Sequence, residues 1–207
     1  MIFTILIYIS YTCLSIANTA NLISKINSSE NLNLIKVKIK TQKLEYKIES
    51  TKFVTEGHLT LSRLYDQLSE IENREEYSDK AKKEIIKGIK KTPTKPVLWA
   101  YLCFLEKDEI EKLNINIKKA LEFGKYEETT QRILIPIILE KWDQLNKENK
   151  RQSEIMLRHT LKYFKNGLVT LKYAAKLKKD KIIQAMMNED WHWHRLKKFN
   201  DEQNRNK

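Results

Sequence analysis

The residues best suited to chemistry in this chain are Trp191-His192-Trp193-His194 and the acidic group Glu72, Glu75, Glu76 and Asp79. Two imidazoles two positions apart could share a metal ion. A closed zinc site, however, takes four donors and a catalytic one three. No cysteine or carboxylate stands at ligand spacing beside His192 and His194, and His58 and His159 are distant in sequence. The tryptophans therefore read as wedges that pack the last helix on its neighbour, or as residues for a half-wet membrane interface. Acid–base catalysis by the carboxylates would need a raised pKa. Arg74 and Lys80 stand among them in a highly charged turn, which implies a solvated surface instead. No GxxxxGK[ST], HExxH, GxSxG or GxGxxG occurs, so nucleotide-binding and common hydrolase readings lack their motif. Cys103, between Leu102 and Phe104, reads as a small apolar core residue, and a disulfide with Cys13 is not expected. The sequence implies a protein without catalytic, metal-binding or cofactor-binding residues, and no small-molecule substrate.

The elements that carry these residues are helical by composition and period. The 207 residues include only four Gly and three Pro, too few for the hairpins of a sandwich or barrel. Leu59, Leu61, Leu64, Tyr65, Leu68 and Ile71 mark one amphipathic helix, stopped by ENREEYS. Ser78 then serves as N-cap for a helix over 79–91 that Pro93 terminates, and Pro96 suits the first turn of the next. A second hairpin follows over 97–106 and 108–123, with Gly124 as C-cap. The next helix starts near Glu127 or Glu128, and Pro136 within ILIPIIL should kink or break it. A helix over 151–165, a break at Gly167, and a short hairpin over 168–187 complete the pattern, ahead of a frayed tail from Asp190. Upstream, Val37, Leu44, Ile48 and Thr51 give the stretch from Leu34 to Lys52 a helical stripe.

The first 26 residues read as an address. No charged side chain occurs from Met1 to Ser24, and MIFTILIYISYTCLSIA is strongly apolar. Two assignments compete: an uncleaved membrane anchor, or a signal peptide cut after Ala17, where Ser15 and Ala17 supply small residues. The strongly apolar part, Ile2 to Ile16, is short for a span of about 20 residues, which favours the signal peptide. The lysines that follow, Lys25, Lys36, Lys38, Lys40 and Lys43, argue for a cytoplasmic body if the segment is an anchor. The preferred expectation is a body at the bacterial inner membrane or in the periplasm, with the cytoplasmic side as the competing one. The net charge of +12 invites a polyanion-binding reading. Its lysines are spread along the chain and mixed with 27 acids, whereas a nucleic-acid reader concentrates them on one face.

The stretch AKKEIIKGIKKTPTKPVLWAYL, Ala81 to Leu102, carries a family resemblance. Pro93 stands six residues before Trp99, with an apolar Ile85 and a small Ala81 upstream, and Leu102 follows Trp99 by three. This resembles the tetratricopeptide repeat, in which W-x2-L-G-x2-Y, A-x3-F and P recur over about 34 residues. Tyr65 and Leu68 match the preceding helix with Ser69 in place of glycine, and Cys103 takes the small position after Leu102. Ala120 arrives about two residues early, and Trp142 continues the stripe. In addition ALEFGKYEETTQ is similar to ALxLGPWEPxxQ of short membrane-anchored proteins from bacterial exopolysaccharide and O-antigen gene neighbourhoods, the VpsP type. Phe123, Gly124, Tyr126 and Glu127 match, while Lys125 and Glu128 replace both prolines.

The resemblance implies an all-α fold of stacked antiparallel helical hairpins, a tetratricopeptide-like solenoid behind an N-terminal membrane-targeting segment. The expected organisation is a targeting segment at 1–26, a linker and helix at 27–57, a helical domain at 58–188, and a basic, partly disordered tail at 189–207. Tyr65, Leu68, Ala81, Ile85, Pro93, Trp99, Leu102, Ala120 and Trp142 are its repeat-packing residues. The implied function is a non-enzymatic scaffold for an acidic protein partner, helix or extended peptide, in surface polysaccharide biosynthesis or export. The alternative is a module for nucleic acid or anionic lipid.

Overall fold

The computed structural model describes residues 38, 40–45, 48 and 55–205. The targeting segment expected at 1–26, and most of the linker, lie outside them. The protein is all-α, and among the described residues there is no strand. It comprises α1 (Thr55–Glu72), α2 (Glu75–Lys91), α3 (Pro96–Leu105), α4 (Ile110–Gly124), α5 (Glu128–Lys141), a 3-10 turn (Trp142–Gln144), α6 (Lys147–Leu161), α7 (Phe164–Lys176), α8 (Asp180–Gln184) and α9 (Asp190–Arg205). Residues 40–45 and 48 are also helical, and Leu44 and Ile48 of the expected stripe are buried. Where one domain over 58–188 was expected, the chain divides into two compact units, the first closing at Pro93 and the second opening at Thr94. The boundary falls inside the Ala81–Leu102 stretch.

In the first unit α1 packs on α2. Asn73, at φ 51°, in the left-handed region, reverses the chain between them. Cross-helix partners climb one helix as they descend the other: Thr55 meets Thr92, His58 meets Glu84, and Ser62 Oγ donates to the Ala81 carbonyl at 2.8 Å. The two helices are therefore antiparallel. Ala81, Ile85 and Ile89 of α2 and Leu61, Leu64, Tyr65 and Leu68 of α1 fill the contact. Burying a side chain such as Ile85 stabilises the fold by roughly 1.5–3 kcal/mol. Ser78 is not the N-cap: α2 begins one turn earlier, at Glu75, behind Arg74. The acids Glu75 and Glu76 suit that first turn through the helix dipole.

In the second unit α3 packs on α4 and α5, α5 on α7, α6 on α4 and α7, and α7 on α8 and α9. Ile117, Leu134, Ile135, Ile138, Met156, Leu157 and Leu171 form one core. Neither glycine acts as a helix breaker. Gly124 ends α4 without a positive φ; a side chain there would bring its Cβ within 2.3 Å of Pro96 Cβ, so the glycine lets α4 approach the start of α3. Gly167 lies inside α7, where a Cβ would stand 2.8 Å from Trp191 Cη2. The helix expected over 151–165 ends instead at Leu161, and Tyr163 precedes α7. α5 continues through Pro136 without a break, because Leu134, Ile135, Ile137, Ile138 and Leu139 are all buried around it. Packing offsets the one hydrogen bond that proline forgoes. The tail is helical as α9, packed on α7 through buried His192 and Leu196.

Candidate functional site

The histidine pair that opened the sequence reading separates in the structure. Positions two apart on a helix point to nearly opposite sides. His192 is fully buried, and both ring nitrogens are committed: Nε2 donates to the Leu161 carbonyl at 2.9 Å, and Nδ1 accepts from the Glu189 amide at 3.2 Å. The two bonds fix one tautomer and leave no lone pair for a metal. His194 is exposed on α9 beside Lys197 and Lys198. Trp191 packs tilted on Phe164, with ring centroids 5.3 Å apart, while Trp193 is half exposed. The acidic group is likewise dispersed. Glu72 pairs with Lys38 and Arg74, and Glu76 with Lys80 at 2.8 Å. Hydrogen bonds from Lys38 and Lys80 hold the Glu72 and Glu76 carboxyls below their usual range. Among the described residues no group of three or more metal-ligating side chains converges. Burial pushes the Cys103 thiol well above its ordinary value, which leaves it a core residue and no nucleophile.

The repeat-packing residues distribute over both units. Tyr65, Leu68, Ala81 and Ile85 are buried in the first, and Pro93 is exposed just beyond α2. Leu102 and Ala120 are buried in the second, where Trp99 and Trp142 pack half-buried against the core.

What the structure does bring together is a groove in the second unit that the sequence reading missed. It runs where α4 ends, α5 begins, α6 ends and α7 begins, and its volume is about 580 Å³. Tyr126, Tyr163 and Phe164 stand over it, 59%, 56% and 57% exposed, although large aromatics tend to be mostly covered. Tyr126 and Tyr163 flank the His159 ring with centroids at 4.7 Å and 4.9 Å, a short aromatic ladder. Lys162 and Lys165 line the same groove, and Lys125 reaches over the Tyr126 ring at 5.6 Å.

Beneath the ladder a network of neutral groups fixes four helix ends. Gln131, buried in the first turn of α5, donates through Nε2 to the Lys125 carbonyl at 2.9 Å and to His159 Nδ1 at 3.0 Å. Its Oε1 accepts from Asn166 Nδ2 at 2.8 Å, so the amide orientation is determined by its partners. A ring nitrogen that accepts from an amide must be unprotonated. Burial, then the charge of Lys162, lowers the His159 pKa in agreement with that role. Glu127 caps α5, its carboxylate accepting from the Thr130 amide at 3.2 Å.

No family model, curated protein or solved structure matches this chain. Among the described residues no helix is long and apolar enough to cross a membrane.

Two sequence signals pointed at the groove. Tyr126 and Gln131 both fall in the ALEFGKYEETTQ phrase, and the aromatic pair Tyr163-Phe164 stands at the junction where α6 gives way to α7. Assigning Tyr163 and Phe164 to the apolar stripe of one long helix concealed them.

Proposed function

We propose that the chain is a non-enzymatic helical scaffold that grips an extended acidic segment of a protein partner in the Tyr126–Tyr163–Phe164 groove. The single observation that carries this reading is the exposed aromatic ladder, rigidly supported from below and rimmed by lysines. Exposed aromatics on a fixed base are the residues that dominate protein–protein contacts, and lysines beside them favour carboxylates. The succession of contacts in the second unit, α3 with α5, α5 with α7, and α4 with α6, supports tetratricopeptide-like stacking of helical hairpins. In α4 and α6 the paired numbers rise together, Asn114 with Asn149 and Lys125 with Gln152, as alternate helices of such a stack require.

A nucleic acid is the other partner that aromatics among lysines would suit. Glu128 weighs against it: its carboxylate lies in the groove, 3.1 Å from Lys165 and 3.4 Å from Arg132. A phosphate chain would have to displace or pass that charge, whereas a peptide can space its acids around it. The reading extends, through the likeness to exopolysaccharide-associated proteins, to a place at the bacterial cell envelope in surface polysaccharide biosynthesis or export.

The test is fluorescence anisotropy with a panel of acidic peptides carrying one aromatic or aliphatic anchor, against a single-stranded oligonucleotide. Expected is peptide binding that survives moderate salt and weakens about tenfold in Tyr163→Ala. Oligonucleotide binding with a steep salt slope, and none to peptides, would overturn the reading in favour of a polyanion module. A reporter fused after Lys207 tests the address: activity on the cytoplasmic side sinks the exported assignment.

A further inference from the structure

The first unit holds a cavity of about 670 Å³ between α1, α2 and the helical residues before them, a volume of the kind that takes a small molecule. Its wall is apolar, built from Ile48, Leu61 and Tyr65, each nearly buried. Its rim is mainly cationic, with Glu45 the acidic residue on it beside Lys80. Lysines at 80, 83, 87, 90 and 91 recur at helical spacing, so one face of α2 presents five ammonium groups to the opening. Lys80 and Lys87 are held by Glu76 and Glu84. Lys83 and Lys90 are exposed and have no carboxylate partner among the described residues.

At the floor lies His58, 3% exposed. Its Nδ1 stands 2.8 Å from Glu84 Oε2, and since an ionised carboxylate only accepts, Nδ1 carries the proton. Burial works to raise the Glu84 pKa, but His58 and Lys87 outweigh it and leave the carboxyl below its usual range, hence ionised. The other ring nitrogen, Nε2, is buried and has no hydrogen-bond partner among the described residues. A buried polar atom without a partner costs stability that a ligand can recover.

We propose that this cavity is a binding site for an amphiphilic anion: a single carboxylate or phosphate head engaged by the lysine rim and by His58, whose imidazolium form donates from Nε2 to the head while Glu84 holds Nδ1–H, with an apolar chain against Ile48, Leu61 and Tyr65. The site is separate from the aromatic groove and does not rest on the scaffold reading. Neither wall nor rim alone specifies the ligand. The lysines exclude a neutral hydrocarbon as the preferred occupant, and the apolar wall disfavours a bare hydrated anion.

Calorimetric titration of the full chain, below each detergent's micelle concentration, tests this with dodecanoate, dodecyl phosphate, inorganic phosphate and dodecyl maltoside. Either or both of the first two should bind; the stronger names the head group. Inorganic phosphate should bind at least tenfold more weakly, and neutral dodecyl maltoside not measurably. Lys83→Ala with Lys90→Ala, on the exposed rim, should weaken the anionic amphiphile at least fivefold without lowering the melting temperature. His58→Phe keeps the ring volume and removes Nε2, and should weaken it similarly. Should that variant fail to fold, the nitrogen-15 resonance of His58 Nε2 in the unmutated chain serves instead, and it should shift on titration. Equal binding of dodecyl maltoside, no effect of the lysine pair, an unmoved Nε2 resonance, or no binding of either anionic amphiphile would each overturn the proposal.

Discussion

In the first unit a buried carboxylate joins the helices: Glu84 of α2, nearly buried, accepts from His58 of α1 at 2.8 Å and forms an ion pair with Lys87, one turn along its own helix, at 2.5 Å, beside the neutral Ser62 and Thr55 contacts. In the second unit the buried polar contacts are made mostly by amides, hydroxyls and the imidazoles of His159 and His192, with the Glu127 carboxylate accepting from Thr130 at the start of α5. Gln131 bonds Asn166 and His159, Asn149 donates to the Asn114 carbonyl at 2.7 Å, and Thr160 pairs with Thr170 at 2.9 Å. The difference follows from what each unit can bury. The second closes a large apolar core around α5 and α7 and needs polar groups only to fix helix ends. The described first unit buries fewer apolar side chains, and the His58–Glu84 contact there ties α1 to α2 while it lines a cavity. A neutral network gives rigidity that acid disturbs at one histidine, whereas an ionic pair is costly to leave half-made.

The largest break of this contrast is expected in the apolar core. Ile138→Ala removes a fully buried side chain of α5 and should cost about 2–5 kcal/mol, read by chemical denaturation, with faster amide exchange concentrated in α5 and α7. A cost below 1 kcal/mol would mean that the second unit does not rest on that core. Next comes the ionic pair. Glu84→Leu strands the buried His58 ring and should cost about 1–3 kcal/mol. Adding His58→Phe should recover part of it, because replacing both partners is cheaper than orphaning one. If the double variant is worse than the single one by the full cost of His58→Phe, the two residues are not coupled. Gly124→Ala is of similar or smaller size, about 1–3 kcal/mol, because the methyl meets the stiff Pro96 ring. A neutral or stabilising result there would return Gly124 to the ordinary role of a flexible helix residue.

Much of the architecture was legible in the residues. The period of Leu61, Leu64, Tyr65 and Leu68, the acids before α5, and Pro96 in the first turn of α3 are local signals, and local signals survive folding. The misreadings share a cause. Ser78, Gly124 and Gly167 are residue types that punctuate chains by local preference, but each sits where a tertiary contact decides. Gly124 and Gly167 admit Pro96 and Trp191, and Ser78 is absorbed because α2 starts earlier, at Glu75. The tail from Asp190 looked polar and frayed, yet His192 and Leu196 on one face suffice to dock it on α7. The groove was hidden for a different reason. Its members come from four helix ends, so no sequence window contains the ladder; Gln131 and His159 meet across 28 positions. The unit boundary at Pro93 was equally invisible, because a proline that ends a helix says nothing about which contacts lie beyond it.

The smallest effect is also the most discriminating, because acid should reach the two polar sites in order. In the unfolded chain His159 titrates at about 6.5, and in the folded protein burial and Lys162 hold it lower. Between those values the unfolded state binds more protons, so stability falls as pH falls. The contribution of neutral His159 is therefore complete above about pH 6.5 and is lost as pH drops through the folded value. Glu84 obeys the same sign in a lower window. Its folded pKa lies below the unfolded value of about 4.3, so its contribution is present above that pH and lost as pH falls through the folded one. Mild acid should thus free the Gln131 amide and loosen the aromatic groove while the His58–Glu84 contact stays closed. Side-chain amide resonances of Gln131 and Asn166, followed by NMR downward from neutral pH, should move before any reporter in α1 or α2, and His159→Asn should abolish that first step. Movement of both regions in a single transition below about pH 4.3, the range of an ordinary carboxylate, would dissolve the contrast between a neutral network and an ionic pair.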